Sequence, residues 1–296
     1  MRRRRLLVTA VVAAVGLVFA TGAAVVVANR SGRRKRRSPA QTVDINCSSP
    51  SLGGSLPALV YLPAGYRVGS TRYRVIYFLH GLPAGPSSYK ENSFVAAALA
   101  SSGRRAIVVA PQGARNQNSD REYLDWSPTE DWPAAISDDL TRCIDKRFRT
   151  DASRSGRALV GLSAGGYGAF NIGLRTLADF GAVESWSGYF VATDPTGYHV
   201  LNLGSARANA AARVPRGPGL RRETARWPSL IAFYIGRQDS RFLSMNRQFD
   251  GELTQNGIKH VFRTYAGGHS ASLWHSQAPH WLGMALDALA SEAKRK

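Results

Sequence analysis

Ser163 is the side chain best placed for nucleophilic chemistry. It lies at the centre of Gly161-Leu-Ser163-Ala-Gly165, after the apolar run 158–160 and before a run of small and apolar residues that extends to about residue 178. This pattern predicts a strand, a sharp turn and a helix, in which the two glycines let the backbone pass close on either side of the serine. With 29 glycines in 296 residues the five-residue pattern can arise by chance, so the flanking strand and helix carry the prediction.

A serine nucleophile needs a base, and the base needs a carboxylate that orients it. Asp239 follows the apolar run 231–235, and His269 follows two glycines after the next such run, 260–265. Serine, acid and histidine in this order, each after a strand, predict a catalytic triad of Ser163, Asp239 and His269. Other candidates lie in helical stretches or after an earlier strand: Asp194, Asp250, Glu252, His275 and His280.

An oxyanion formed by attack of Ser163 needs hydrogen-bond donors, and backbone amides can supply them. One donor is expected from Ala164, directly after the nucleophile, at the positive end of the following helix. The second is expected from Leu82, in the His80-Gly-Leu loop that follows the apolar run 73–79. We interpret His80 as a brace beneath this loop rather than as an acid or base.

The elements that position these residues form an alternating series. Short apolar runs alternate with longer helical stretches, which predicts an α/β protein with a mostly parallel central sheet covered by helices on both faces. Strands are predicted at 56–62, 73–79, 106–110, 157–161, 182–187, 231–235 and 260–265, and helices at 94–100, 132–148, 166–178, 241–256 and 278–293. Residues 195–228 are rich in Arg, Gly and Pro and are predicted to be an insertion over the active site of a catalytic domain, 44–296.

The first 43 residues are predicted to be an export signal or a membrane anchor. They contain no acid, and the uncharged run 6–28 lies between the arginines 2–5 and the basic cluster 33–37. Its 23 residues are enough to span a bilayer, whereas Val26-Val27-Ala28 suits a cleavage site, so both alternatives remain open. We expect an exported protein, either extracellular or membrane-anchored with the catalytic domain outside.

The chain is basic, and more than half of its excess positive charge lies before residue 44, in the predicted export segment. Removing the ten basic residues of 1–43 lowers the formal net charge from +19 to +9. This remainder permits attraction to an anionic envelope or membrane surface, but the chain contains no nucleic-acid-binding module.

The two cysteines, Cys47 and Cys143, fit no metal-ligand spacing, and no His/Asp cluster indicates a metal. In an exported protein they either pair or remain two separate buried thiols.

Four segments together resemble the esterase D, feruloyl-esterase and mycolyltransferase branch of the α/β-hydrolases. They are Leu62-Pro-Ala-Gly-Tyr66, Phe78-Leu-His-Gly81, the run 161–169 around Ser163, and Gly267-Gly-His-Ser-Ala-Ser-Leu-Trp274. The resemblance covers about residues 50–290 and implies an α/β-hydrolase fold and a serine esterase or acyltransferase that needs no cofactor. This chain departs from the mycolyltransferases at His80, where they carry Asp, and in the loop 82–89, which is not their acidic, aromatic sugar-binding loop.

The leading hypothesis is an exported serine esterase that hydrolyses small-molecule or glycolipid carboxylic esters through an acyl-enzyme. Two alternatives remain open. One is an acyltransferase that moves an acyl group to an envelope sugar, and the other is a non-catalytic surface-binding protein with the same fold.

Overall fold

The computed structural model describes residues 40–115, 123–194 and 197–294. The strands are β1 (Gln41–Ser49), β2 (Gly54–Leu62), β3 (Val75–Leu79), β4 (Ile107–Pro111), β5 (Arg157–Leu162), β6 (Ala182–Trp186), β7 (Leu230–Gly236) and β8 (Val261–Tyr265). The α-helices are α1 (Ser93–Ser101), α2 (Trp132–Ala134), α3 (Thr141–Arg147), α4 (Ala164–Gly173), α5 (Ala206–Ala211), α6 (Pro218–Arg226), α7 (Leu243–Gln255) and α8 (Ala271–Ala293). A π-helical segment, Ala135–Leu140, joins α2 to α3, and short 3-10 turns occupy Pro50–Leu52, Ser88–Glu91 and Arg154–Gly156.

The described strands form one sheet in the order β1-β2-β4-β3-β5-β6-β7-β8. The pairs β1–β2 and β2–β4 are antiparallel, and every other neighbouring pair is parallel. Because β3 to β8 run in one direction, the loops that follow their last residues gather along one edge of the sheet, where ligands bind in folds of this kind. This mostly parallel sheet confirms the predicted fold class.

Helices cover both faces of the sheet because successive strand residues point to opposite faces. Within β3, Val75 and Tyr77 pack into one core and Ile76 and Phe78 into the other. The first core is closed by α2, α3, α4 and α7, and the second by α1 and α8. The helix α4 is buried along its whole length, which fixes Ser163 directly before it.

The boundaries of several elements differ from the sequence predictions. No strand is predicted at β1, although Val43, Ile45 and Cys47 alternate with polar residues along it, and it starts at Gln41, inside the segment 1–43. The helix α4, after Ser163, ends at Gly173 instead of about residue 178. The segment 195–228, in which no helix is predicted, contains α5 and α6.

The C-terminal helix α8 starts at Ala271 rather than at 278. The Ser270 side chain caps it by accepting a hydrogen bond from the Leu273 amide. Burial of its apolar side against the sheet outweighs the hydrogen bond that Pro279 cannot donate inside the helix.

Cys47 in β1 and Cys143 in α3 form a disulfide, so the pairing left open by the sequence is present. It ties the antiparallel edge of the sheet to the helix that precedes β5.

Among the residues that the structure describes, no helix is both long and apolar enough to cross a membrane. The apolar run 6–28 lies outside those residues.

Candidate active site

Ser163 occupies a sharp turn between β5 and α4. Its φ of 55° and ψ of −118° lie in a region that residues other than glycine rarely adopt. A Cβ on Gly161 would lie 2.0 Å from the Gly165 carbonyl oxygen, and a Cβ on Gly165 would lie 2.1 Å from the Leu79 carbonyl oxygen. Neither position accepts a side chain, so both glycines of the pattern are required by close backbone contact.

His269 lies between Ser163 and Asp239 and is within hydrogen-bond distance of both. Its Nε2 is 3.0 Å from the Ser163 Oγ, and its Nδ1 is 2.7 Å from the Asp239 Oδ2. The Asp239 side chain is almost fully buried, and its other carboxylate oxygen accepts a hydrogen bond from the Phe242 amide. An Nδ1–H that donates to Asp239 leaves Nε2 free to accept the serine proton, which is the tautomer that base catalysis needs.

The loops that carry Asp239 and His269 are bonded directly to each other. The Gln238 amide donates to the Gly267 carbonyl, and the Gln238 Oε1 accepts from the Gly267 amide at 2.6 Å. A Cβ on Gly236 would lie 2.2 Å from the Gly267 carbonyl oxygen. The glycines at the end of β7 and before His269 therefore allow the two loops to approach closely enough for the Asp239 carboxylate to reach the imidazole.

The other candidate acids and histidines have different partners. Asp194 pairs with the exposed His199, Asp250 with His260, and Glu252 with Arg216. His275 packs on the Phe94 ring at a centroid distance of 4.4 Å, and His280 is exposed on α8. None of these contacts involves Ser163.

The loop after β3 passes directly over Ser163. A Cβ on Gly81 would lie 3.1 Å from the Ser163 Cβ, so the Gly81 backbone is packed against the serine. Leu82 follows it and is half-buried, while Ala164 is the first residue of α4. The structure thus places both predicted oxyanion donors on segments that contact Ser163.

Buried His80 holds this loop through both of its ring nitrogens. Its Nε2 accepts a hydrogen bond from the Gly113 amide at 2.9 Å, so the proton must lie on Nδ1, which donates to the Gly81 carbonyl at 2.9 Å. In a trans peptide the carbonyl and the following amide point in opposite directions. Fixing the Gly81 carbonyl towards His80 therefore directs the Leu82 N–H away from it.

Aromatic residues that enclose His269 were missed as site residues by sequence reasoning. The Phe242 ring lies 5.4 Å from the imidazole, and the Trp274 ring lies 5.0 Å from it at an interplanar angle of 90°. Trp274 stands five residues after His269, in a segment singled out only for its resemblance. No chemical signal in the sequence distinguishes either ring from an ordinary core residue.

The sheet topology, with a strained serine after β5 and an acid and a histidine after β7 and β8, defines an α/β-hydrolase. Residues 49–282 match the putative esterase family. The chain therefore belongs to this family, which confirms the family resemblance seen in the sequence.

Individual relatives are distant in sequence. Esterase Rv1288 from Mycobacterium tuberculosis (strain H37Rv) is 25% identical over 235 residues, which cover 71% of this chain and 51% of that protein. The chain thus spans about half the length of the curated relatives that it matches.

Solved structures show the same fold. A ferulic acid esterase has a TM-score of 0.68 at 22% identity, covering 85% of this chain and 99% of that chain. An S-formylglutathione hydrolase from Agrobacterium tumefaciens also has a TM-score of 0.68, at 20% identity, covering 85% and 96%.

We expect His80 to make the stability of the protein depend on pH. Burial lowers the pKa of His80 below its ordinary value of 6.5, whereas the unfolded chain keeps the ordinary value. The unfolded state therefore binds the proton first as the pH falls. The stabilisation is complete above about pH 6.5 and is lost below it.

The measurement is urea unfolding at pH 7.5 and 5.5 for the wild type, His80→Gln and the exposed control His280→Gln. His80→Gln should lower the free energy of unfolding at pH 7.5 and reduce its decline at pH 5.5, because Gln does not titrate. An undiminished decline in His80→Gln would contradict this account.

Proposed function

We propose that this chain is an exported serine esterase that hydrolyses carboxylic esters through an acyl-enzyme. The observation that carries the proposal is the continuous set of hydrogen bonds from Ser163 through His269 to Asp239. Membership of the putative esterase family gives the reaction class independent support.

In the first half of the reaction Ser163 Oγ attacks the ester carbonyl while its proton passes to His269 Nε2. The Asp239 carboxylate holds the Nδ1–H and stabilises the imidazolium that results. The amides of Leu82 and Ala164 receive the negative charge on the carbonyl oxygen. Collapse of this intermediate breaks the ester C–O bond, and His269 returns the proton to the leaving alcohol.

The second half repeats these steps with water. His269 takes a proton from the water as its oxygen attacks the acyl carbon of the Ser163 ester. Collapse then releases the carboxylic acid and restores the Ser163 hydroxyl.

The substrates that we propose are small-molecule or glycolipid esters with a short or aromatic acyl group. Solved structures with the same fold include a ferulic acid esterase and an S-formylglutathione hydrolase. Their names indicate an aromatic acyl group and a formyl group. These likenesses support the proposed class of acyl group.

Hydrolysis is favoured over transfer by the polar groups after Leu82, because they contact one another and β1. The Ser88 hydroxyl accepts from the Gly85 amide, the Tyr89 hydroxyl lies 3.4 Å from the Asp44 carboxylate, and Lys90 pairs with the same carboxylate. Holding a sugar close to the acyl carbon needs several polar and aromatic groups directed at one point. This loop offers few of them.

Export is proposed from the sequence of residues 1–43 and from the disulfide. Disulfides persist outside the reducing cytosol, and the Cys47–Cys143 pair is formed here.

We propose that residues 44–296 are the catalytic domain and that the segment 195–228 partly covers its active site. A Cβ on Gly197 would lie 2.5 Å from the Phe242 ring, which itself contacts His269.

The triad proposal predicts which variants lose activity. Ser163→Ala and His269→Ala should each lower the turnover of a chromogenic ester by about a thousandfold or more, since each removes a reacting group. His275→Ala and His280→Ala are the matched controls and should keep the wild-type turnover. Similar losses in all three histidine variants would exclude His269 as the specific base, and wild-type protein that a fluorophosphonate fails to label would indicate a non-catalytic protein.

The fate of the acyl group is tested by product partitioning. With a chromogenic ester and millimolar trehalose or glucose, we expect free acid to be the main product, measured by chromatography against the sugar ester. A predominance of sugar ester would replace the hydrolase proposal with the transferase.

Export predicts the redox state and location of the protein. In a bacterial host, alkaline phosphatase fused after residue 43 should be active, and the intact chain should contain no free thiols when denatured without reductant. An inactive fusion with the intact chain in the cytosolic fraction would refute export.

A further inference from the structure

The dipeptide Trp186-Ser187 lies beside Ser163 and is held from both sides. Its peptide carbonyl accepts a hydrogen bond from the Ser163 amide at 2.8 Å, and its peptide N–H donates to the Tyr234 carbonyl at 2.7 Å. Ser187 is fully buried and has a φ of 49°, in the left-handed region. A residue other than glycine in this conformation is strained, and it persists only where the surrounding contacts hold it.

The Ser187 hydroxyl accepts a hydrogen bond from the indole N–H of Trp274 at 3.0 Å. Trp274 lies in the first turn of α8, and its ring meets the His269 ring edge-on. One dipeptide therefore holds the nucleophile through its backbone and the ring beside the base through its side chain.

His269 needs such a support because its two hydrogen bonds do not prevent the imidazole ring from tilting. Bonds at Nδ1 and Nε2 fix the two ends of the imidazole, but they do little against tilting of the ring about the line between them. Phe242 and Trp274 are the rings in contact with its sides. Phe242 is itself packed against Tyr189 at 4.8 Å, whereas the indole of Trp274 is anchored by Ser187.

We propose that the Ser187–Trp274 hydrogen bond positions His269 for proton transfer from Ser163, which makes Ser187 and Trp274 positioning residues. This inference rests on the proposed esterase function. It identifies a determinant of turnover that lies outside the triad and the oxyanion donors.

The same elements provide matched controls. Ser185 is a buried serine on β6 whose hydroxyl has no hydrogen-bond partner among the described residues, and Trp281 is a buried tryptophan on α8 whose indole N–H likewise has none there. Ser185→Ala and Trp281→Phe therefore make the same chemical changes as Ser187→Ala and Trp274→Phe without removing this hydrogen bond.

The kinetic test compares kcat and KM for a small chromogenic ester in these four variants and in the double variant Ser187→Ala/Trp274→Phe. Each of Ser187→Ala and Trp274→Phe should lower kcat by about tenfold with little change in KM, because small misplacement of a reacting group slows the chemical step more than binding. The double variant should be no slower than either single variant, since all three lack one and the same bond. Both controls should keep the wild-type kcat.

A second measurement is independent of turnover. In ligand-free protein, hydrogen exchange of the Trp274 indole N–H should be slow in the wild type and in Ser185→Ala, and faster in Ser187→Ala. The NMR resonance of the His269 Nδ1 proton should broaden in Ser187→Ala and Trp274→Phe, as the ring becomes less restrained.

The outcomes separate the two proposals. Unchanged indole exchange in Ser187→Ala would refute the hydrogen bond. Faster exchange with a wild-type kcat, or a loss of kcat matched by Ser185→Ala and Trp281→Phe, would refute positioning. Absence of ester hydrolysis in the wild type would refute the esterase proposal. In that case the NMR measurement alone tests positioning, and an unchanged His269 resonance in both Ser187→Ala and Trp274→Phe would refute it.

Discussion

Close backbone packing around Ser163 is the constraint on which the rest of the site depends. The turn is possible only because Gly161 meets the Gly165 carbonyl and Gly165 meets the Leu79 carbonyl without a side chain between them. Burial of α4 and pairing of β5 between β3 and β6 keep the strained serine in this conformation. The same packing presses Gly81 against the serine, so Ser163 and the loop that carries Leu82 are positioned by one set of contacts.

The parts of the candidate site that could be predicted from the sequence are those with a local signature. The spacing of Gly161, Ser163 and Gly165, together with the flanking strand and helix, predicts the turn. Asp239 and His269 follow apolar runs that form β7 and β8. The parallel order of these strands then accounts for their convergence at one edge of the sheet. These features could be predicted because each depends on a short run of sequence and a general rule of α/β folds.

Features that depend on distant contacts could not be predicted in this way. The tautomer of His80 follows from a bond to Gly113, thirty-three residues away in the chain. The role proposed for Ser187 could not be predicted from the sequence either, since a serine after a strand has no signature until its left-handed backbone and its tryptophan partner are seen.

The helix α8 connects the stability of the domain to the geometry of the site. Near its C-terminal end, buried Glu292 pairs with Arg154, whose guanidinium also donates to the carbonyls of Leu177 and Pro228. Breaking a buried pair of this kind leaves an uncompensated charge, so this end of the helix is held firmly. At the other end the first turn carries Trp274 against His269. A helix fixed against the sheet at its far end, with buried residues along its length, limits how far its first turn can move. The segment that covers one face of the sheet is thereby also the segment that supports His269, the proposed catalytic base.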